Sequence, residues 1–221
     1  PNLPPRTQPT QADILPDSIT NLTGFTQHIH DPVIAEENGK YYVFSTGARI
    51  IIICSDDMVA WEFCGRVWDE NPTWTREINP NLDALWAPDI SYFNDKWHLY
   101  YAASNFGQQN SAIALATYKT LDASSPDYAW VDEGIVLRSQ AGDEWNAIDA
   151  NLAWDTEGNP WLNWGSYWNG ICMRPTDPAT GKFLESDTEV HHLAMRRTPP
   201  QDSTAIEAPF IIHHGDYYYL F

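Results

Sequence analysis

Hydrophobic and polar positions follow the same pattern in four segments of the chain. In each segment an acidic residue precedes a short apolar run, a turn of Gly, Asn or Asp, and a second run rich in aromatic residues. The acidic residues are Asp31, Asp89, Asp149 and Glu207, which recur at intervals of 58 to 60 residues. A fixed period of this kind is typical of repeat folds.

Each repeat predicts a β-hairpin followed by further strands. The turn pairs are Asn38-Gly39, Asn94-Asp95, Gly158-Asn159 and Gly215-Asp216, and such residues adopt positive φ angles at modest cost. The runs beside them are β-branched or aromatic and have the length of strands. The predicted strands include Tyr41–Ser45, Arg49–Cys54, Trp61–Val67, Trp97–Ala102, Ser111–Tyr118, Trp130–Leu137, Gly170–Arg174, Val190–Arg196 and Tyr217–Leu220. Long helical periodicity is absent, and the 16 Pro residues would break it.

The predicted fold class is therefore all-β, with a four-stranded antiparallel sheet in each repeat. Sheets repeated at this period are typical of a β-propeller, in which blades surround a central channel. The first strand of each blade would line that channel. Acidic residues at the same place in each blade would then point into one shared space, although they are far apart in sequence.

Three full repeats and half of a fourth fit before Phe221. Because a propeller closes its ring to remove open sheet edges, we expect either a truncated sequence or a second chain that supplies the rest. Residues 1–24 are predicted to be a Pro-rich leader that packs along the surface or is disordered. Residues 25–221 are predicted to be the propeller domain, incomplete at its C-terminal end.

The formal net charge of −18 restricts the choice of partner. It argues against nucleic acid and against an anionic membrane, because both are held mainly by Lys and Arg. It suits a neutral or cationic ligand, or it serves solubility alone. The 11 Trp and 11 Tyr residues either pack strands or stack on sugar C–H surfaces. No apolar run approaches the roughly 18 residues that a transmembrane helix needs.

The Cys residues and the N-terminal region bear on the cellular compartment. Cys54 and Cys64 either face each other across a hairpin as one disulfide or remain two buried thiols, and Cys172 is the third. The sequence starts with Pro, so we expect a mature or trimmed form whose secretion signal is out of view. The glycosylation sequon at Asn21 is a weak indication of secretion. The predicted location is extracellular.

His28 and His30 alternate along the segment that leads to Asp31, so they share a face. This spacing allows a metal pair, but no third ligand is evident. A hydrogen-bonded pair is the favoured interpretation, and no metal ligands are predicted.

Converging carboxylates suit glycoside hydrolysis. One carboxylic acid must protonate the leaving oxygen, and a second carboxylate must attack the sugar or activate water. Taken alone, each acid is more typical of a turn or of the start of a strand. Aromatic side chains at the same rim, such as Trp86, Phe106, Trp164 and Trp168, would stack on sugar rings.

Five motifs together carry a resemblance to a known family. They are HDPVI, WAPDI, NAIDAN, WGSYWNGI and IEAPFI, and in this order they resemble glycoside hydrolase family 43, most of all its arabinan-degrading members. The resemblance implies a five-bladed propeller, of which this chain covers about three and a half blades, and an inverting hydrolase. By matching motif it implies Asp31 as general base, Glu207 as general acid, and Asp149 as the carboxylate that orients the acid and tunes its ionisation.

The resemblance also implies residues that bind the sugar. Trp86 and Phe106 resemble aromatic walls around the scissile sugar. The other matching positions are Gly107, Asn146, Ser166, Tyr167 and Trp168, together with Asp89, which we place near the site but behind the residues that touch the sugar. Ala150 departs from the family pattern, which often has Pro after the Asp; the loss of Pro leaves the local backbone less constrained.

No cofactor is expected for the chemistry itself. In the family's arabinanases an ion, often calcium, lies near the propeller axis and is held partly by a His of the last blade, which is not seen in this sequence. The implied substrate is arabinan or an arabino-oligosaccharide, with no nucleic-acid or membrane partner. We expect a monomer once the propeller is complete.

The predicted function is cleavage of α-L-arabinofuranosyl linkages. A β-xylosidase or a side-chain arabinofuranosidase of the same family is an alternative, and so is a propeller that binds carbohydrate without cleaving it. The presence of Asp31, Asp149 and Glu207 counts against the non-catalytic alternative. Endo and exo cleavage stay open, because the choice depends on loops around the cleft.

Overall fold

A computed structural model describes residues 22–126, 128–196 and 206–221. The strands are β1 (Thr23–Gly24), β2 (Val33–Glu37), β3 (Lys40–Ser45), β4 (Ile51–Ser55), β5 (Ala60–Arg66), β6 (Trp86–Phe93), β7 (Lys96–Ala103), β8 (Ser111–Tyr118), β9 (Val131–Ser139), β10 (Asn151–Trp154), β11 (Pro160–Trp164), β12 (Ile171–Pro175), β13 (His191–Ala194), β14 (Ile211–His214) and β15 (Tyr217–Leu220). A short helix, α1 (Thr75–Ile78), lies between β5 and β6. The predicted all-β class is confirmed.

The strands form consecutive antiparallel sheets, as the repeats predict. Blade 1 is β2–β5, blade 2 is β6–β9, blade 3 is β10–β13, and the hairpin β14–β15 begins a fourth blade. Within each blade, strands that follow one another in sequence are neighbours in the sheet. The bounds of most predicted strands differ from the observed ones by one or two residues, and those of Ser111–Tyr118 and Tyr217–Leu220 are the same.

The predicted leader lies mostly outside the described residues. Its last part contains β1, in which Thr23 and Gly24 pair in parallel with Ala60 and Trp61 on the outer edge of blade 1. This pairing was not predicted, because a strand of two residues has no detectable periodicity. The proposed boundary between leader and domain stays a prediction.

The hairpin turns have the backbone that their residues favour. Asn38 and Gly39 have φ angles of 55° and 82°, and Asn94 and Asp95 have φ angles of 50° and 57°. Two consecutive residues with positive φ form the turn that matches the twist of paired strands. These turns fix the register of β2 with β3 and of β6 with β7.

Blade 2 lies between two hydrophobic clusters, one shared with blade 1 and one shared with blade 3. Side chains of β7 alternate between them, since Leu99 and Tyr101 pack in the first cluster and Tyr100 and Ala102 in the second. All four are fully buried. The alternation follows from the two-residue period of a strand, and it explains why β7 is apolar on both faces.

Cys54 and Cys64 form a disulfide that joins β4 to β5, with their Cα atoms 5.8 Å apart. The alternative of two separate thiols is therefore wrong for this pair. Cys172 is a buried free cysteine. No helix in the described ranges is long and apolar enough to cross a membrane.

The repeat has a different register from the one its acidic residues suggest. The residues at equivalent places are Asp31, Ala87, Asp149 and Ala208, which have φ angles of 47°, 42°, 58° and 53° and begin the segments DPVI, APDI, DANL and APFI. Asp89 lies two residues later, inside β6, and Glu207 lies one residue earlier than its equivalent position. The prediction of one shared position is thus wrong for Asp89 and Glu207, because intervals between acids do not reveal shifts of one or two residues.

Candidate active site

Asp31, Asp149 and Glu207 each precede the first strand of a blade. These strands are β2, β10 and β14. The backbone N–H of Ala208 donates a hydrogen bond to Asp149 Oδ2 over 3.2 Å, which places the segment of Glu207 beside Asp149. The negative charges of Asp31 and Glu207 both raise the pKa of Asp149. The described structure therefore brings these carboxylates into one electrostatic environment.

Burial is the largest cause of the raised pKa of Asp149, and the charges of Asp31 and Glu207 add to it. The hydrogen bond from Ala208 and the nearby His30 act in the opposite direction. The result is a pKa of about 7 instead of 3.8. Desolvation and like charges both disfavour the ionised form of a carboxyl group, so Asp149 changes charge near neutral pH.

Asp31 is held through one of its oxygens. Thr46 Oγ1 donates a hydrogen bond to Asp31 Oδ2 over 2.6 Å, and His30 Nδ1 lies 2.7 Å from the same oxygen. The Asp31 side chain is 34% exposed, and no hydrogen bond to Oδ1 occurs within the described ranges. Asp31 can therefore present one oxygen to a water molecule while the other keeps it in place.

Thr46 connects the first two blades at the site. It follows β3 directly, and its hydroxyl oxygen accepts a hydrogen bond from the backbone N–H of Ala87 over 2.8 Å while donating to Asp31. Thr46 was not predicted as a site residue, because its partner Ala87 is 41 residues away. The signal that could have identified Thr46 is its position directly after β3, the strand that pairs with β2 beside Asp31.

Glu207 is held by the loop that follows β11. Ser166 Oγ donates a hydrogen bond to Glu207 Oε2 over 2.9 Å, and the two residues form an antiparallel bridge. The backbone N–H of Tyr167 donates to the carbonyl of Ile206 over 3.0 Å. Ser166 is buried and Glu207 is exposed. Ser166, predicted to bind the sugar, contacts the predicted acid.

The same loop carries two aromatic residues directly after Ser166, which binds Glu207. Tyr167 and Trp168 are both partly exposed, and their φ angles are 54° and 38°. The turn is closed by a hydrogen bond from the N–H of Gly170 to the carbonyl of Tyr167 over 2.7 Å. Exposed aromatic rings next to a carboxylate form a surface on which a sugar can stack.

The other predicted aromatic residues differ in exposure. Phe106 lies in the loop between β7 and β8, is 97% exposed, and is followed by Gly107 with a φ of 72°. Trp86 is half-buried and packs against the cluster between blades 2 and 3. Trp164 is fully buried in that cluster, so its predicted stacking on sugar is wrong: the inward face of β11 places it in the core.

Asn146 and Asp89 are buried and belong to the framework of the site. Asn146 Oδ1 accepts hydrogen bonds from Ser111 Oγ over 2.8 Å and from Ser139 Oγ over 3.4 Å. Asp89 accepts hydrogen bonds from residues of blade 3. These contacts support the segment that carries Asp149, and a direct sugar contact by either residue stays a prediction.

One group of three potential metal ligands occurs in the described ranges, and it does not suit the calcium ion that the family resemblance implies. Apart from Cys54, Glu62 and Cys64, no group of three His, Cys, Asp or Glu ligand atoms within 4.8 Å of one another occurs in the described ranges. The two sulfurs of that group are joined in the disulfide. Calcium prefers six to eight oxygen ligands, so this group is not a calcium site. His30 Nδ1 contacts Asp31 Oδ2, and the predicted pairing of His28 with His30 stays a prediction.

Successive four-stranded antiparallel sheets, with carboxylates before the first strands of three blades, define part of a β-propeller. The chain belongs to the glycosyl hydrolases family 43, whose family profile matches residues 25–221. The resemblance inferred from the motifs is confirmed. The described blades form about three and a half blades of the five-bladed propeller found in the family's arabinanases.

The names of similar proteins describe enzymes that act on α-(1→5)-linked arabinan or its arabinofuranosyl units. The chain is 40% identical over 200 residues to an extracellular exo-α-(1→5)-L-arabinofuranosidase of Cellvibrio japonicus, covering 87% of this chain and 58% of that protein. It is 36% identical over 197 residues to an extracellular endo-α-(1→5)-L-arabinanase of Bacillus subtilis, with the same coverage of 87% and 58%.

A solved structure agrees with this relationship. The crystal structure of an exo-1,5-α-L-arabinanase from a bovine ruminal metagenomic library superposes with a TM-score of 0.80 at 47% identity, covering 87% of this chain and 63% of that one. The chain thus spans somewhat less than two thirds of the length of the relatives that it matches.

Proposed function

We propose that this protein hydrolyses α-L-arabinofuranosyl linkages in α-1,5-linked arabinan or its oligosaccharides, with inversion of the anomeric centre. The observation that carries the proposal is that Asp31, Asp149 and Glu207 precede the first strands of three blades, with the Ala208 N–H beside Glu207 donating to Asp149 Oδ2. The substrate is supported by the names of relatives up to 47% identical, which cut α-1,5-arabinan. As in those named relatives, action outside the cell is proposed.

Asp31 is proposed as the general base. Thr46 and His30 hold Oδ2, so Oδ1 takes a proton from water as the water oxygen attacks the anomeric carbon. In an inverting enzyme base and acid stand roughly 6.5–9.5 Å apart to leave room for that water. The glycosidic C–O bond breaks on the opposite face of the sugar.

Glu207 is proposed as the general acid. In its protonated form it donates its proton to the leaving glycosidic oxygen, and Ser166 steadies the carboxyl group through Oε2. Tyr167 and Trp168 on the same loop are proposed to hold the sugar beside it. The carboxylate of Asp149 accepts a hydrogen bond from the backbone N–H of Ala208, next to Glu207, and in this way it is proposed to keep the acid oriented.

Glu207→Gln tests the assignment. The variant retains the size of the side chain but cannot donate the proton, so kcat/KM on linear arabinan should fall by at least about 100-fold. Glu157→Gln is the matched control, because Glu157 lies in the turn between β10 and β11, and this variant should retain the wild-type rate.

The stereochemistry is read by NMR of the first product. Inversion of an α-linkage gives the β-anomer before mutarotation, whereas early α-anomer would contradict the proposed mechanism. Full activity of Glu207→Gln would remove the assigned acid. Release of long oligomers would identify endo cleavage, and release of a single short product would identify exo cleavage.

A further inference from the structure

Asp89 is a buried acid for which the proposed chemistry has no use. Its side chain belongs to blade 2, but both oxygens accept hydrogen bonds from blade 3. The backbone N–H of Leu152 donates to Oδ2 over 2.9 Å, and Asn151 Nδ2 donates to Oδ1 over 3.2 Å. Asp89 is only 5% exposed. Because two N–H donors face the buried Asp89 side chain, both of its terminal atoms must be acceptors, and the two oxygens of a carboxylate meet this requirement.

Asn151 continues the connection into the next blade. Its Oδ1 accepts a hydrogen bond from the backbone N–H of Ile211 over 2.9 Å, and Asn163 Nδ2 donates to the same atom over 3.1 Å. Asn151 is 4% exposed. With one end donating to Asp89 and the other accepting from Ile211, the amide of Asn151 is fixed in orientation.

The two links repeat at equivalent places. Asp89 and Asn151 each lie two residues after the positive-φ residue that begins their blade. Asp89 accepts the N–H of Leu152, and Asn151 accepts the N–H of Ile211. Each of these donors lies three residues after the positive-φ residue of the next blade. In blade 1 the corresponding residue is Val33, which has no side-chain acceptor. There Thr46 makes the connection to blade 2 instead.

The strands joined in this way carry the site. Asn151 lies two residues after Asp149, and Ile211 lies four residues after Glu207. We propose that Asp89 and Asn151 form a hydrogen-bond relay that sets the position of Asp149 relative to Glu207. The proposal rests on the proposed function for its effect on catalysis. Both are positioning residues, since their contacts are to the strands and not to the carboxylates themselves.

A reciprocal exchange of the two side chains tests the relay. Asp89→Asn places an NH₂ group against the NH₂ of Asn151, and Asn151→Asp places two carboxylates against each other. The double variant restores every link, because Asn at 89 donates to Asp at 151, which still accepts from Ile211 and Asn163. Each single variant should lower kcat on arabinan by roughly 10- to 100-fold, the cost of a misplacement of about 1 Å. KM should change by less than about twofold, because uniform binding is retained.

The exchanged double variant should recover kcat to within about threefold of wild type, a non-additivity typical of residues in contact. Thr176→Val is the control for a general loss of stability. It removes a buried hydroxyl that donates to the Pro160 carbonyl in blade 3, and kcat should stay unchanged. Wild-type kcat in both single variants, or no recovery in a folded double variant, would overturn the relay.

Amide hydrogen exchange separates this proposal from the proposed function. Leu152 and Ile211 should exchange faster in the single variants and return to wild-type protection in the double variant, whether or not the protein cleaves arabinan. If wild type lacks activity on arabinan while exchange follows this pattern, the function fails and the relay stands. If exchange at Ile211 is the same in all variants, the relay fails whatever the activity.

Discussion

Single side chains at the site owe their properties to contacts from other blades. Asp149 has a raised pKa because it is buried beside Asp31 and Glu207, and Asp31 is fixed by Thr46, which also binds the N–H of Ala87. The acids were identifiable from sequence because their motifs are local. Thr46 and the partner of Asp89 were not, because a hydrogen bond between residues 41 or more positions apart leaves no periodic signal.

Thr46→Val should lower kcat on arabinan by roughly 10- to 100-fold, because Asp31 loses the donor that fixes its orientation. Valine has nearly the shape of threonine but no hydroxyl. Thr46→Ser keeps the hydroxyl and should retain most of the activity. Steady-state kinetics on linear arabinan measure both variants, and equal rates would exclude the hydroxyl from positioning the base.

Asp149→Asn should change the pH dependence of stability. The pKa of Asp149 is about 7 in the folded protein, whereas a carboxyl group without these interactions has a pKa of 3.8. Between these two values the folded state retains a proton that the unfolded chain has lost. Stability from this group therefore falls as the pH rises from about 4 to about 7. The amide removes the cost, so the variant should melt higher than wild type near pH 8, by roughly 2–4 °C for each kcal/mol gained.

At about pH 4, where Asp149 is still protonated in the folded protein, its ionisation should contribute little to a difference in melting temperature between wild type and Asp149→Asn. Asp155→Asn is a control of opposite sign. Hydrogen bonds from Asn159 lower the pKa of Asp155 to about 2, so its loss should lower the melting temperature near pH 8. Differential scanning fluorimetry across this range checks both, and a gain at low pH alone would contradict the assignment for Asp149.

At the scale of elements, strands were predictable and their exact register was not. The hairpins follow from alternating apolar residues and from turns such as Asn38-Gly39, which are local features. Asp31 is equivalent to Ala87, and not to Asp89, because Asp31 and Ala87 share a positive φ angle. A positive φ at an Ala residue cannot be predicted from residue type. Trp164 looked the same as the exposed aromatic residues, because residue type does not reveal which face of β11 is buried.

The disulfide between β4 and β5 should be a local stabiliser. Its Cys residues are 10 positions apart, and closing a loop of this size restricts the unfolded chain by about 2–3 kcal/mol. The double variant Cys54→Ala, Cys64→Ala should therefore melt roughly 5–10 °C lower than oxidised wild type.

A reducing agent provides the matched control for this prediction. It should bring the melting temperature of wild type down to that of the double variant and leave the variant unchanged. An equal response of both proteins would show that the reductant acts elsewhere, and no response in wild type would contradict a stabilising disulfide.

At the scale of the whole molecule, the blades are joined by apolar clusters and by polar links. Blade 2 contributes to both clusters through β7. Near the starts of the first strands, polar links run from Asp31 through Thr46 to Ala87, from Asp89 to Leu152, and from Asn151 to Ile211. At the far end of β2, Glu37 accepts hydrogen bonds from blade 2. The sequence repeat predicted the blades. The hydrogen bonds between blades could not be predicted in this way, because they join residues that are distant in sequence.

The left-handed backbone at Asp31 and Asp149 restricts what can replace them. Their φ angles of 47° and 58° suit Asn and Gly, whereas other L-residues pay roughly 1–2 kcal/mol for this conformation. A saturation library at these positions would consequently be enriched in Asn and Gly among its well-folded members. Such members would keep the backbone of the site without its ionisable group, so under the proposed function they would serve as a reagent that captures polysaccharide and leaves it uncut.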